Sequence, residues 1–297
     1  MTSQEIEAFL AITANGSITK AAEILCITQS ALSRRLTALE NDLGYKIITR
    51  QKGKRTITLT NQGEEFIPIA LRWKAVWADA EAVKYKKKRT ALRIAASEGP
   101  NIYVLAPAYR ELHEKYPDVD LEIITEQSSD AYSDLENGRI DLAFVIVPNY
   151  SLQLDTKPAY TEKMLFVCNR KGPYIQSVNP RDLNVTDYIY CTRPLEFQIW
   201  FENWFGIKQK PTVKCDLIPV IEVFLTEGKW SIIPSSFMGG LINTDLVSIP
   251  LTSPPPDRTV YYAKHPTTDK KERIIHDFLK IVDNRIQSLD RVNSLLF

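Results

Sequence analysis

From residue 3 onward the apolar positions recur at helical spacing: Ile6, Phe9, Leu10 and Ile12 share one side, behind a Thr2/Glu5 capping-box pattern. This predicts a first helix to about Thr13, broken at Asn15 and Gly16. Ser17 can cap a second helix whose inward positions are Ala21, Ala22 and Leu25. Thr28 can cap a third, TQSALSRRLTALE, in which Leu32, Leu36 and Leu39 form one apolar stripe. The opposite side of that helix carries Gln29, Ser30, Ser33, Arg34 and Thr37. Next, IITRQKGKRTITLT alternates around KGK and reads as a β-hairpin with a basic tip. A long helical pattern then runs from Thr60 to about Lys88. In it Phe66, Ala70, Trp73, Trp77 and Ala80 are spaced like the seam of a coiled coil, widened by Ile69, Val76 and Val83.

Past residue 90 the pattern changes. LRIAA, VDLEIIT and IDLAFVIV are strand-like and alternate with helical stretches, one ending near Tyr116 and one at DAYSDLENG. A second set of strands begins at KMLFVCN and continues through DYIYC, TVKCD and WSIIP, with LEFQIWFENWF and IPVIEVFLTEG as the intervening helices. After VYYAKHP, a final helix from about Thr268 to Leu289 is expected to return to the first half. Alternation of this kind in the first set implies a parallel sheet covered on both faces, and the second set supplies a second α/β half.

Charge sharpens this division. The net charge of +1 conceals 15 Lys/Arg against 9 Asp/Glu in residues 1–90 and 22 against 27 in the rest, so the parts carry +6 and −5. The first part is suited to a polyanion and the second is not. No apolar run approaches the roughly 20 residues that cross a bilayer, and MTSQEIEAF lacks the features of a signal peptide, so a cytoplasmic protein with no membrane partner is expected. Cys26, Cys168, Cys191 and Cys215 form no CxxC pair and have no histidine at ligand spacing, which predicts reduced, buried thiols and neither metal nor cofactor. His113, His265 and His276 fall into no recognisable triad, and no P-loop or GxGxxG follows a strand, which argues against an enzyme.

The polar side of the third helix admits two readings. It is a solvated face, or it is a face whose Gln, Ser and Arg side chains meet base edges and phosphates. The adjacent hairpin, with Arg50, Lys52, Lys54 and Arg55, supplies phosphate neutralisation beside groove readout and favours the second.

Residues 6–63 resemble the N-terminal winged helix-turn-helix of the LysR-type transcriptional regulators. The matching residues are Ile6 and Phe9, Gly16-Ser17, Ala21-Ala22 with Leu25, Gln29 and Ala31-Leu32-Ser33-Arg34, Leu39-Glu40 with Leu43-Gly44, Arg50, Leu59-Thr60 and Gly63. The chain departs at Ser30, where the family often has proline, and at Ile48, where phenylalanine is usual. The resemblance implies a recognition helix from about Gln29 to Glu40 that enters the major groove of double-stranded DNA. Gln29, Ser30, Ser33 and Arg34 would then contact DNA, with Ser17, Arg50, Lys52, Lys54 and Arg55 on phosphate. It also implies dimerisation through Phe66, Trp73 and Trp77, giving a homodimer or homotetramer; packing of this stripe on the chain's own core is the other reading.

The implied architecture is an all-α winged helix-turn-helix (1–60), a linker helix and hinge (61–90), and an α/β effector region of two Rossmann-like halves similar to periplasmic binding proteins (91–297). Lobe 1 would take about 91–162 and 266–297, and lobe 2 about 163–265. A small, anionic effector would lie between them against Ser97, Glu98, Gly99, Pro100, Ser128, Ser129, Val147, Thr192 and Arg193. The family commonly has a GxG step before an apolar strand ending in proline. Aligned on Pro234, this chain has Lys229 and Trp230, and either side chain directed inward would narrow that cleft. The function expected is a sequence-specific DNA-binding regulator controlled by a small molecule. A solute-binding or ligand-sensing protein, with its basic module serving another interaction, is the alternative.

Overall fold

The computed structural model describes residues 1–50, 57–82, 90–149, 153–191, 195–207, 210–215, 217–265 and 269–297. The chain divides into two compact units, residues 1–89 with 133–140, and residues 90–132 with 141–297.

The first unit opens with α1 (Ser3–Asn15), α2 (Ile18–Ile24) and α3 (Gln29–Leu43). Each start is fixed by the side chain the sequence places there. The Glu5 carboxylate accepts the Thr2 N–H at 2.7 Å, Ser17 Oγ accepts from Lys20 N–H at 3.4 Å, and Thr28 Oγ1 accepts from Ala31 N–H at 3.2 Å. β1 (Ile48–Arg50) and β2 (Ile57–Leu59) pair antiparallel, Ile48 opposite Leu59, to form the expected hairpin. The hairpin tip with Lys52, Lys54 and Arg55 lies outside the described residues, as does the side chain of Arg50.

Thr60 then caps α4 (Asn61–Ala82) by accepting the Gly63 N–H at 2.9 Å. Gly63 allows this helix its approach to the hairpin, because a Cβ there would lie 2.1 Å from the Ile47 carbonyl oxygen. Ile6, Phe9, Leu32, Leu36, Leu39, Phe66 and Ala70 share one buried cluster. Removing that face from water is the main force holding three short helices that could not persist alone.

The second unit contains a six-stranded sheet in the order β13-β6-β12-β5-β3-β4. Its strands are β3 (Thr90–Ala96), β4 (Val119–Thr125), β5 (Leu142–Val145), β6 (Asp155–Glu162), β12 (Arg258–Lys264) and β13 (Val292–Ser294). Only β3 with β4 and β3 with β5 run parallel; β6, β12 and β13 join antiparallel. A wholly parallel sheet was the expectation. The mixture arises because β6 carries the chain out to the second lobe and β12 brings it back beside it, antiparallel, so residues 258–264 belong to the first sheet although they fall inside the span expected for lobe 2.

Between β3 and β4 a π-helical turn (Pro100–Leu105) leads into α5 (Ala106–Lys115), and α6 (Ser128–Glu136) follows β4. The closing α9 (Asp269–Gln287) buries Ile274, Ile275, Phe278 and Val282 with Leu92, Ile94 and Phe144 of the first sheet, as its amphipathic pattern predicts.

The second lobe holds a three-stranded antiparallel sheet, β10-β7-β11, and a parallel pair, β8 with β9. These are β7 (Met164–Asn169), β8 (Ile189–Tyr190), β9 (Val213–Lys214), β10 (Trp230–Pro234) and β11 (Leu246–Ile249), with α7 (Leu195–Phe205) and α8 (Ile218–Phe224) around them. Phe166, Tyr188, Phe197, Phe201 and Trp230 fill its core.

Candidate nucleic-acid interface and effector cleft

The amphipathicity of α3 decides what each side of it can touch. Leu32, Leu36 and Leu39 are 0 %, 4 % and 0 % exposed. Gln29, Ser30, Arg34 and Thr37 are exposed on the other side, with Ser33 half-buried. The exposed groups are only lightly engaged. Gln29 Nε2 donates to Thr19 Oγ1 at 3.0 Å, Ser30 Oγ shares a 3.0 Å bond with Thr28 Oγ1, and Thr37 Oγ1 donates to the Ser33 carbonyl at 2.9 Å. Bonds of this kind between exposed groups exchange readily for bonds to a base edge or phosphate. Ser17 serves first as the cap of α2, and its hydroxyl can still donate.

Glu40 has a role that its place in the sequence did not announce. It is 7 % exposed, and its Oε1 accepts the N–H groups of Ile47 and Ile48 at 3.2 and 3.4 Å, while Oε2 takes Lys46 Nζ at 2.6 Å. One carboxylate thereby ties the end of α3 to the start of the hairpin and fixes the helix relative to the wing. The carboxylate is thus taken by the backbone seven and eight residues on and by Lys46. The signal in the sequence was an acidic residue placed on the apolar side of an amphipathic helix.

On α4 the seven-residue spacing has two outcomes. Phe66 is 2 % exposed and lies 5.4 Å from the Phe9 ring, inside the unit's own core, so the expected seam does not include it. Trp73 stacks on Trp77 at 5.3 Å, and Ile69, Val76 and Trp77 are exposed. Cys26, expected buried, is exposed in the turn between α2 and α3, whereas Cys168 and Cys191 are buried. Burial pushes the Cys168 thiol up to about 11.

In the second unit the registers Ala96 opposite Thr125 and Ala96 opposite Phe144 bring the ends of β3, β4 and β5 to one sheet edge. The loops bearing Ser97–Pro100, Ser128–Ser129 and Val147 therefore gather at that edge. Ser97 and Ser128 are both tied into the fold, the first through its backbone and the second through its hydroxyl. Ser97, 7 % exposed, donates its N–H to the Phe144 carbonyl at 3.0 Å, and its own carbonyl accepts from Asn101. Ser128 Oγ accepts the N–H groups of Ile146 and Val147, both at 3.2 Å. Gly99 lies against the Phe237 ring and Pro100 is buried, while Ser129 and Val147 are exposed and Glu98 is half-buried. Thr192 and Arg193 lie outside the described residues.

Asn101, not anticipated, laces this edge together: its Nδ2 donates to Thr125 Oγ1 at 2.8 Å and its Oδ1 accepts the Tyr109 hydroxyl at 2.6 Å. Burial raises the Tyr109 phenol far above its ordinary range, so it stays a donor.

Lys229 and Trp230 do not narrow the cleft. Trp230 begins β10 opposite Cys168, at the end remote from Pro234, and its ring stacks 4.4 Å from Tyr188 in the core of the second lobe. Its Nε1 donates to the Asn184 carbonyl at 3.1 Å, and Lys229 pairs with Asp187 at 2.8 Å. The alternation along β10 sends the tryptophan into its own lobe.

Among the described residues no helix is long and apolar enough to cross a membrane. Residues 3–64 match the bacterial regulatory helix-turn-helix protein, lysR family, and residues 86–284 match the LysR substrate binding domain. The HTH-type transcriptional regulators YeiE and MetR of Escherichia coli (strain K12) are each 27% identical, YeiE over 58% of this chain and 58% of its own length, MetR over 62% and 59%. The aligned regions thus span under two thirds of these relatives. A cysteine-to-aspartate variant of full-length OxyR from Pseudomonas aeruginosa superposes with a TM-score of 0.65 at 20% identity, covering 98% of this chain and 96% of that one. Full-length CbnR, solved in complex with its target DNA, gives 0.64 at 18% identity, covering 96% and 100%.

Proposed function

The chain belongs to the LysR family, and from that premise we propose that it is a sequence-specific DNA-binding transcriptional regulator of the cytoplasm, not an enzyme, whose second unit responds to a small effector. The observation that carries this reading is the polar side of α3. A helix anchored by three buried leucines presents Gln29, Ser30 and Arg34 outward, and a hairpin is tied to its end through Glu40. In this reading α3 enters the major groove, Gln29, Ser30, Ser33 and Arg34 meet base edges, and Ser17 with Arg50, Lys52, Lys54 and Arg55 neutralises phosphate.

A single reading head covers too few base pairs to be selective, so two are required. The exposed Ile69, Val76 and Trp77 on α4, beside the stacked Trp73, support a homodimer, itself able to double into a tetramer. The effector would be a small carboxylate-class anion held at the shared edge of β3, β4 and β5, where Ser129 and Val147 are exposed, with Thr192 and Arg193 as further contacts. It would act by binding two arrangements of the dimer with different affinity.

The test is a binding titration of the full chain on the DNA upstream of its own reading frame and on a scrambled duplex. A regulator prefers the first at every salt concentration, and its log affinity falls linearly with log salt, by about 0.9 per phosphate neutralised. Equal affinity for both duplexes would leave only a non-specific polyanion binder, and no affinity for either would remove the reading.

A further inference from the structure

The two lobes of the second unit are joined where β6 ends and β12 begins, with Arg258 opposite Glu162 in register. Two adjacent tethers of this kind ordinarily form a hinge that bends through a few backbone angles. Here the hinge is filled. A short turn after β10, Ser235–Gly240, carries Phe237 across to the first lobe, where its ring stacks on Tyr103 with centroids 4.5 Å apart. Phe237 is 2 % exposed.

The fit leaves no slack on either side. A Cβ on Gly99 would lie 2.2 Å from Phe237 Cζ, and a Cβ on Gly240 would lie 2.4 Å from Tyr103 Cε1. Each ring therefore rests on a glycine of the opposite lobe, a position no larger residue could occupy without displacing it.

The turn is also pinned from below. Glu162, 1 % exposed, accepts Arg258 Nε and Nη2 on Oε1 at 2.9 and 2.5 Å, and Ser236 Oγ and N–H on Oε2 at 2.5 and 3.3 Å. Ser235 donates its N–H to the Lys163 carbonyl at 2.8 Å and its hydroxyl to the Arg291 carbonyl at 2.9 Å. The Arg258 guanidinium, 5 % exposed, lies 5.1 Å from the centre of the Phe237 ring. Opening the hinge would wet two aromatic rings and disturb a buried, hydrogen-bonded ion pair.

We propose that Phe237, Tyr103, Gly99 and Gly240, backed by Arg258, Glu162 and Ser236, form a clasp that sets the angle between the lobes. The effector region is then a preset body, and whatever biases it acts by shifting that body or releasing the clasp, not by drawing two free lobes together. The proposal concerns the protein's own packing and stands whether or not the region binds an effector.

The experiment measures the distance between nitroxide labels at the exposed positions of Glu111 on α5 and Glu202 on α7. It uses the full chain with Cys26 and Cys215 replaced by serine, diluted into unlabelled protein so that only distances within one chain are read. The parent should give one narrow distribution. Phe237→Ala should shift it or add a second population, and Gly99→Ala, which drives the ring off its seat, should do the same. Phe201→Ala, a truncation in the separate core of the second lobe, should lower the melting temperature and leave the distribution narrow. If Phe237→Ala does not fold, Phe237→Leu and Gly99→Ala carry the same comparison. A parent distribution that is already broad, or clasp variants that retain the parent distribution, would overturn the clasp.

Discussion

The outer side of α3 and the edge of the six-stranded sheet present similar side chains under different obligations. On α3, Gln29, Ser30 and Arg34 are outward, and the bonds that Gln29 and Ser30 make are to neighbouring hydroxyls. At the edge of the six-stranded sheet, the Ser128 hydroxyl accepts two backbone N–H groups of its own unit, while Ser97 is tied in through its backbone N–H and carbonyl. The difference follows from geometry. A helix segregates its faces by period, so a polar residue opposite a buried stripe is necessarily available. A loop that ends a parallel strand has orphan N–H groups within reach, and the Ser128 hydroxyl is consumed in satisfying two of them. Availability is thus inherited from the element and not from the residue type.

Substitutions can undo this contrast, and the largest effect should come from the buried pair. Arg258→Ala leaves the Glu162 carboxylate without its cation and should cost about 3–5 kcal/mol in denaturant unfolding of the second unit, with the transition of the first unit unchanged. Ser128→Ala removes the acceptor of two N–H groups and should cost about 1–3 kcal/mol in the same measurement. An unchanged midpoint would show that water replaces the hydroxyl and that Ser128 is free for a ligand.

On α4, Trp77→Glu places a charge on an exposed ring position and should reduce the mass measured by light scattering to that of one chain, with the stability of that chain lowered by about 0.5–1.5 kcal/mol through the lost stack on Trp73. An unchanged mass would send the interface elsewhere.

The smallest effect concerns Asp277, whose carboxyl is held below its ordinary value of 3.8, first by the hydrogen bond from Lys115 and then by that from Tyr116. A carboxyl depressed on folding stabilises the native state above its unfolded value, and that contribution disappears as the pH falls through its lower folded value. Asp277→Asn should therefore lose under about 1 kcal/mol near neutrality, and the gap between parent and variant should close below about pH 3.8. A gap that widens in acid would contradict the sign.

Local features were legible in the sequence. Thr2, Thr28 and Thr60 fixed helix starts, the Leu32/Leu36/Leu39 stripe fixed the inner face of α3, and alternation around KGK gave the hairpin strands. Features that depend on distant partners were not. Phe66 and Trp77 share one helical spacing, yet Phe66 meets Phe9 while Trp77 is exposed, and periodicity cannot tell a chain's own core from a partner's. Lys229 and Trp230 stand where the family commonly has its GxG step, but the direction of the tryptophan is set by strand parity within β10. The antiparallel place of β12 beside β6 joins residues about a hundred positions apart, as does the Glu162–Arg258 pair, and neither leaves a trace in neighbouring residues.

Whether the outward side of α3 reads sequence is the point on which the functional reading rests. Arg34→Ala is its sharpest probe, through the ratio of affinities for cognate and scrambled duplexes at one salt concentration, beside the melting temperature of the variant. Base readout by this arginine requires an unchanged melting temperature and a ratio reduced by the equivalent of about 1–3 kcal/mol. An undiminished ratio, with both duplexes losing affinity equally, would refute it and place that arginine on phosphate alone.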